Sequence, residues 1–114
     1  MSECLFCKII AKEIQAKFEY EDEQLVAIQD INPQAPTHLL IISKKHIAKL
    51  QDINNAHDRS ILGEMIFRAK ELAREKKLEE GYRLVLNNGA KAGQSVFHIH
   101  LHLLAGRKMS WPPG

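Results

Sequence analysis

At positions 96–104 the sequence reads VFHIHLHLL, in which His98, His100 and His102 alternate with Ile99, Leu101 and Leu103. A β-strand sends successive side chains to opposite faces, so this spacing buries the aliphatic set and lines three imidazoles along the other face. The polar face of a half-buried strand usually carries Thr, Lys or Glu, so three histidines there point to chemistry. The bland alternative is three solvated surface histidines beside a hairpin turn. Neutral imidazole is a nucleophile near pH 7 and can attack phosphorus without a strong base. A neighbouring imidazole can donate a proton to the leaving group or hold the anionic oxygens. Same-face residues two apart stand roughly 7 Å from each other, too far for adjacent imidazoles to share one small metal ion well. Just upstream, Gly93, Gln94 and Ser95 enter the same strand after a glycine turn. Backbone N–H groups in such a turn bind phosphate oxygens, and Gly93 permits close approach.

The elements that must position these groups follow from periodicity. Residues 5–14, LFCKIIAKEI, place Leu5, Phe6, Ile9, Ile10 and Ile14 along one helical face, which predicts a short first helix. KFEY and QLVAIQD read as two strands joined at a charged turn. INPQAPT is a loop, because Pro33 and Pro36 supply no ladder hydrogen bonds. HLLIIS is an unbroken apolar strand and belongs at the centre of the sheet. The longest helix runs from about Asn55 to Lys77. Its Ile61, Leu62, Met65, Ile66, Ala69, Leu72 and Ala73 recur at three and four residues, Asn55 with Asp58 forms its N-terminal cap, and Gly81 follows its end. YRLVLN is a strand, NGAKAG a turn, and residues 95–104 the histidine strand. Strands in runs with segregated helices, without βαβ alternation, predict an α+β fold with a five-stranded antiparallel sheet. The tail, residues 106–114, holds Trp111 and two prolines and is expected to lie extended, docked through the aromatic ring.

Length and composition bound the function classes. The 114 residues fit one domain, 1–114, and 45% hydrophobic residues are ample for its core. Sixteen basic against 14 acidic residues give a net charge of +2, too balanced for a partner recognised by bulk charge such as nucleic acid or an anionic membrane. No apolar run approaches the roughly 20 residues of a membrane span. Glu3 and Lys8 interrupt the apolar N-terminal stretch, which argues against a secretory leader and for a cytoplasmic protein. The two cysteines are too few for a disulfide scaffold.

HIHLHLL matches the His-φ-His-φ-His-φ-φ signature (φ apolar) of the histidine triad, or HIT, family of nucleotide hydrolases and transferases. DINPQAPTHLLIISKKHI, NNGAKAGQSVF and GRKMSWPPG resemble its Hint-like branch, the purine nucleoside phosphoramidases, and the likeness runs from about Leu5 to the last residue. By that resemblance His100 attacks the α-phosphorus, His102 contacts the phosphate, His98 orients the nucleophile and His38 completes the cluster. Asn87, Gly93, Gln94, Ser95 and Val96 line the phosphate site, and Asp30 holds the ribose hydroxyls. Leu5, Phe6, Ile9, Ile28 and Ile31 wall the base pocket, though core packing alone would also explain them. The resemblance implies hydrolysis of the P–N bond of a purine nucleoside phosphoramidate through a nucleotidyl-histidine. It also implies a homodimer whose ten-stranded sheet covers open edges, with Trp111 reaching towards the partner's active site. The alternatives are a dinucleoside polyphosphate hydrolase and a nucleotide-binding adaptor with vestigial catalysis.

Cys4 and Cys7 form a C-x-x-C pair, a weak signal alone. A thioredoxin-like role is disfavoured because no strand precedes the pair and no βαβ pattern surrounds it. Some prokaryotic-type family members hold a zinc with such a pair, the histidine of KKHI and the first triad histidine. The resemblance therefore implies a structural zinc on Cys4, Cys7, His46 and His98, with none required for catalysis.

Overall fold

The computed structural model describes residues 3–114. Helix α1 (Leu5–Ile10) is followed by strands β1 (Phe18–Glu21), β2 (Leu25–Gln29) and β3 (Thr37–Ser43). Helix α2 (Ala56–Glu75), β4 (Arg83–Val85) and β5 (His100–Ala105) complete the order. The five strands form one antiparallel sheet in the order β1-β2-β3-β5-β4, so the α+β architecture is the expected one and HLLIIS is indeed central.

Position in the sheet explains the unbroken apolar run of β3. Its alternate side chains face two separate cores. Leu39 and Ile41 join Leu25, Ala27, Leu101 and Leu103 under α2, which contributes Ile61, Met65, Ala69, Leu72 and Ala73. Leu40 and Ile42 face the other way and pack with Val26 and Ile28 beneath Phe6 and Ile9 of α1. In the β3–β5 register His100 pairs with Ile42 and His102 with Leu40, which places both imidazoles on the α1 face of the sheet.

Asn55 caps α2 as expected, its side chain accepting from the Asp58 N–H at 2.8 Å. Three boundaries and one helix closure differ from the expectation. Helix α1 stops at Ile10 instead of Ile14, and Lys12 takes a left-handed φ of 64° that no glycine announces. Helix α2 ends at Glu75, within two residues of the expected Lys77, but the left-handed residue that closes it is Lys77, with φ 60°, and not Gly81. There the Leu78 N–H reaches the Ala73 carbonyl at 2.8 Å and the Lys77 N–H reaches Arg74, a Schellman closure with Leu78 turned into the core. Strand β4 is only three residues long. Strand β5 begins at His100, because residues 96–98 bend inward: the His98 N–H bonds to the Val96 carbonyl and the Ile99 N–H to Ile47. The tail is held by its backbone, Arg83 donating to the Ser110 carbonyl at 2.9 Å, while Trp111 is 81% exposed and does not dock its ring on its own chain. No helix among the described residues is long and apolar enough to cross a membrane.

Candidate active site and metal centre

The bend before β5 divides the three histidines between two jobs. His98 is fully buried, and its Nε2 lies 2.6 Å from the Ser43 carbonyl oxygen. A carbonyl only accepts, so the proton sits on Nε2 and the Nδ1 lone pair points the other way, towards α1. There it meets the Cys4 and Cys7 sulfurs at 3.3 and 3.6 Å and His46 Nδ1 at 3.2 Å, with Cys7 Sγ 3.3 Å from His46 Nδ1. A tetrahedral zinc with Zn–N of about 2.0–2.1 Å and Zn–S of about 2.3 Å separates its donors by about 3.4 Å (N to N) and about 3.6 Å (S to N). The four donors therefore fit zinc in kind, number and spacing. The bond from His98 to Ser43 is the outer contact that a ligating imidazole normally makes. Bound there, zinc would tie α1 to the loop after β3 and to the bend before β5.

His100 faces the opposite requirement. Its Nδ1 lies 2.7 Å from the His98 backbone carbonyl, which fixes the proton on Nδ1 and leaves the Nε2 lone pair free. His98 thus orients His100 through its carbonyl, while its ring belongs to the metal cluster. The Phe6 ring stands edge-on to His100 at 4.8 Å between centroids. Burial lowers the His100 pKa below the ordinary histidine value, against the opposing pull of the His98 carbonyl and Asp30, so the ring is neutral at pH 7.

His102 is set by a relay that begins at a backbone amide. The Gln34 N–H donates to His38 Nδ1 at 3.0 Å, so the His38 proton is on Nε2. That N–H is 2.9 Å from His102 Nδ1, which must accept, leaving the His102 proton on Nε2. Burial, followed by the neighbouring His100 and His38, holds the His102 pKa down to about 4. His102 is therefore a neutral hydrogen-bond donor. Asp30 Oδ2 is 3.5 Å from His38 Nε2. Distance alone would let Asp30, His38 and His102 share a cation. Ligation through His38 Nε2 would cost the bond from Gln34, however, so this group reads as a proton-ordered relay and not a metal site.

Around the two imidazoles lies a cleft of about 250 Å³. Phe6, Ile9, Ile28 and Leu40 form its apolar wall, Asp30 and Ile31 stand at its mouth, and Ser95 and Val96 close it beside His100 and His102. Ile31 is 97% exposed, a rim residue and no part of the core. A sequence model of the HIT domain matches residues 11–109. The chain belongs to the HIT family. Among HIT relatives, a 14 kDa zinc-binding protein of maize is 51% identical over 115 residues, covering 99% of this chain and 89% of that protein. A HIT family hydrolase of Legionella pneumophila superposes with a TM-score of 0.94 at 56% identity, covering 98% and 100% of the two chains. A histidine triad nucleotide-binding protein of Candida albicans does so at 0.82 and 35%, covering 98% and 85%.

Not every residue expected at a HIT nucleotide site lines this cleft. Leu5, Phe6, Ile9, Ile28, Asp30, Ile31, Ser95, Val96, His100 and His102 do. Asn87, Gly93, Gln94 and Trp111 are not among the residues lining it. Gln94 is buried and serves the loop itself: its Oε1 accepts from the Gly89 N–H at 2.7 Å, and its Nε2 donates to the Ala48 and Val96 carbonyls. Gly93, with φ 100°, ends the turn that this glutamine braces. The sequence reading missed Ile14, Gln15, Ala16, Gln29 and Leu40 in the lining, and Gln34, whose amide sets the relay. Gln15 and Ala16 enter because α1 ends early, which nothing in the residue types signals.

Proposed function

We propose that the chain is a hydrolase cleaving the P–N bond of purine nucleoside phosphoramidates, of the AMP-amine type, through a nucleotidyl intermediate on His100. The observation that carries this reading is the His100 tautomer: Nδ1–H held by the His98 carbonyl, Nε2 bare at the floor of an apolar cleft. The Nε2 electron pair forms the N–P bond. The bond to the amine breaks with its electrons going to nitrogen, which takes a proton from solvent at the open mouth. The ring gains positive charge as it is nucleotidylated, and the His98 carbonyl stabilises that charge through Nδ1–H. His102 Nε2–H donates to a phosphate oxygen while Asp30 accepts from the ribose hydroxyls. Water then attacks phosphorus, releasing the nucleoside monophosphate, its surplus protons and neutral His100. Splitting one displacement into two easier ones is the logic of covalent catalysis. The names of the Legionella and Candida neighbours, a hydrolase and a nucleotide-binding protein, accord with it, as does the maize relative's name with a structural zinc.

The working unit is one domain, 1–114, and a homodimer. Of the two sheet edges, β1 is blunted by a bulge and by Glu19 and Glu21, whereas β4 offers the mostly apolar Arg83, Leu84 and Val85. The tail is tied to β4 through Arg83 and Ser110, so Trp111 stands where a second copy would pair.

His100→Ala should lower turnover of a fluorogenic adenosine phosphoramidate by at least about a thousandfold while AMP binding survives. Retention of more than about a tenth of the rate, a single decade or 1.4 kcal/mol, would remove His100 from the role. A dinucleoside polyphosphate turned over faster than the phosphoramidate would favour the sister activity.

A further inference from the structure

We propose that Cys4 and Cys7 are positioning residues for the nucleotide cleft, so that the metal and the nucleotide bind cooperatively. The proposal rests on the cleft being the nucleotide site. Helix α1 has six residues, far too few to be stable alone. It nevertheless supplies Phe6 and Ile9 to the apolar wall, with Phe6 against the His100 ring, and Leu5 to the rim. Both cysteines lie on or immediately before this helix, and the Cys4 sulfur accepts from the Cys7 N–H at its first turn.

Zinc would hold the four donors far more firmly than the hydrogen bonds that join them without it. In its absence His46 Nδ1–H can donate to His98 Nδ1 at 3.2 Å, and the thiols, which join α1 to this pair, keep only weak sulfur hydrogen bonds at 3.3 Å. Losing zinc therefore loosens the hold on α1, and the groups free to move are α1 and the exposed His46. The triad is held independently. The His98 ring is bonded to Ser43, and the Ile99 N–H to the Ile47 carbonyl at 2.7 Å, neither through the metal. Metal loss should thus loosen the base wall and leave the nucleophile's tautomer intact. It should raise KM far more than it lowers kcat.

Coupling of this kind is reciprocal: the factor by which zinc tightens AMP is the factor by which AMP tightens zinc. We would measure AMP affinity by calorimetry on zinc-loaded and chelator-stripped protein, and zinc affinity by competition with a chelator with and without saturating AMP. Hydrogen exchange would follow α1 against β3 and β5. Stripped protein is expected to bind AMP at least tenfold more weakly, with exchange protection lost in α1 and kept in the central strands. AMP should strengthen zinc binding by the same factor. Cys7→Ser should raise KM about tenfold with kcat within threefold. Equal AMP affinity in both forms, or zinc affinity indifferent to AMP, overturns the proposal. Should stripping unfold the chain, the competition experiment on loaded protein still decides it. Loaded protein that does not bind AMP at all would sink the reading of the cleft, and this proposal with it. AMP binding without coupling sinks the proposal alone.

Discussion

The His100 and His102 rings are five-membered neighbours with their centroids 5.1 Å apart, yet they carry their protons on different nitrogens. One carbonyl and one backbone amide impose this difference, at His98 and Gln34. His38→Ala should therefore free His102 to place its proton on Nδ1, withdrawing the donor from the phosphate. Loss of one such donor costs about 10²-fold in kcat, with KM little changed, and His38→Gln, whose amide can still donate, should recover part of it. Equal kcat in His38→Ala and the parent would show that the relay does not order His102. The pH dependence has a definite sign. Burial lowers the His38 pKa and holds His102 at about 4, with Asp30 pulling both upward and His100 pressing His102 down. The neutral relay is thus complete above the lowered values and lost as pH falls through them. Steady-state rates should stay level down through pH 6.5, the ordinary histidine value, and decline only below it. An acid limb centred above 6.5 would contradict this assignment.

Elements decide which of these residues meet. The strand pattern of HIHLHLL, the central place of HLLIIS and the face shared by His100 and His102 were legible, because period-2 alternation is set by backbone geometry alone. The resemblance supplied His38, Asp30 and the four metal donors, which no local pattern joins. The end of α1 and the residue that closes α2 were not legible, since Lys12 and Lys77 take left-handed backbone that their side chains do not advertise. The role of Gln94 was hidden for another reason: a buried amide bracing its own loop has the same sequence signature as one reaching for phosphate. Gln94→Ala should leave the Gly89 N–H and the Ala48 carbonyl without their partner, costing about 1–3 kcal/mol in chemical denaturation. A change below about half a kcal/mol would mean the loop closes without it. Gly106 makes a sharper test of the turn after β5. It has φ 98°, and an added Cβ would lie 2.8 Å from Pro36 Cβ in the loop that leads to His38. Gly106→Ala should lower stability by about 1–3 kcal/mol through strained backbone, with the rate falling as His38 shifts. Unchanged stability and rate would show that the loop yields freely.

For the molecule as a whole, the sheet turns one face to α2 for stability and the other to α1 for chemistry. The long helix and its core can thus hold β3 and β5 rigid while the short helix adjusts over the cleft. In the proposed dimer the β4 edge and the tail would extend the site towards the second copy. Deleting residues 110–114 should alter the ranking of amine leaving groups in kcat/KM while AMP affinity stays within a few fold. Uniform loss across all leaving groups would indicate a dimer or folding defect, and the tail would have no part in selection.

The claim on which the rest depends is that phosphorus is attacked twice, first by His100 Nε2 and then by water. Each in-line displacement inverts phosphorus, so two in succession restore the original configuration. Hydrolysis of an adenosine phosphoramidate made chiral at phosphorus with oxygen isotopes, its product configuration read by ³¹P NMR, measures this directly. We expect net retention. Net inversion would mean that water attacks in a single step, and His100 could not be the nucleophile.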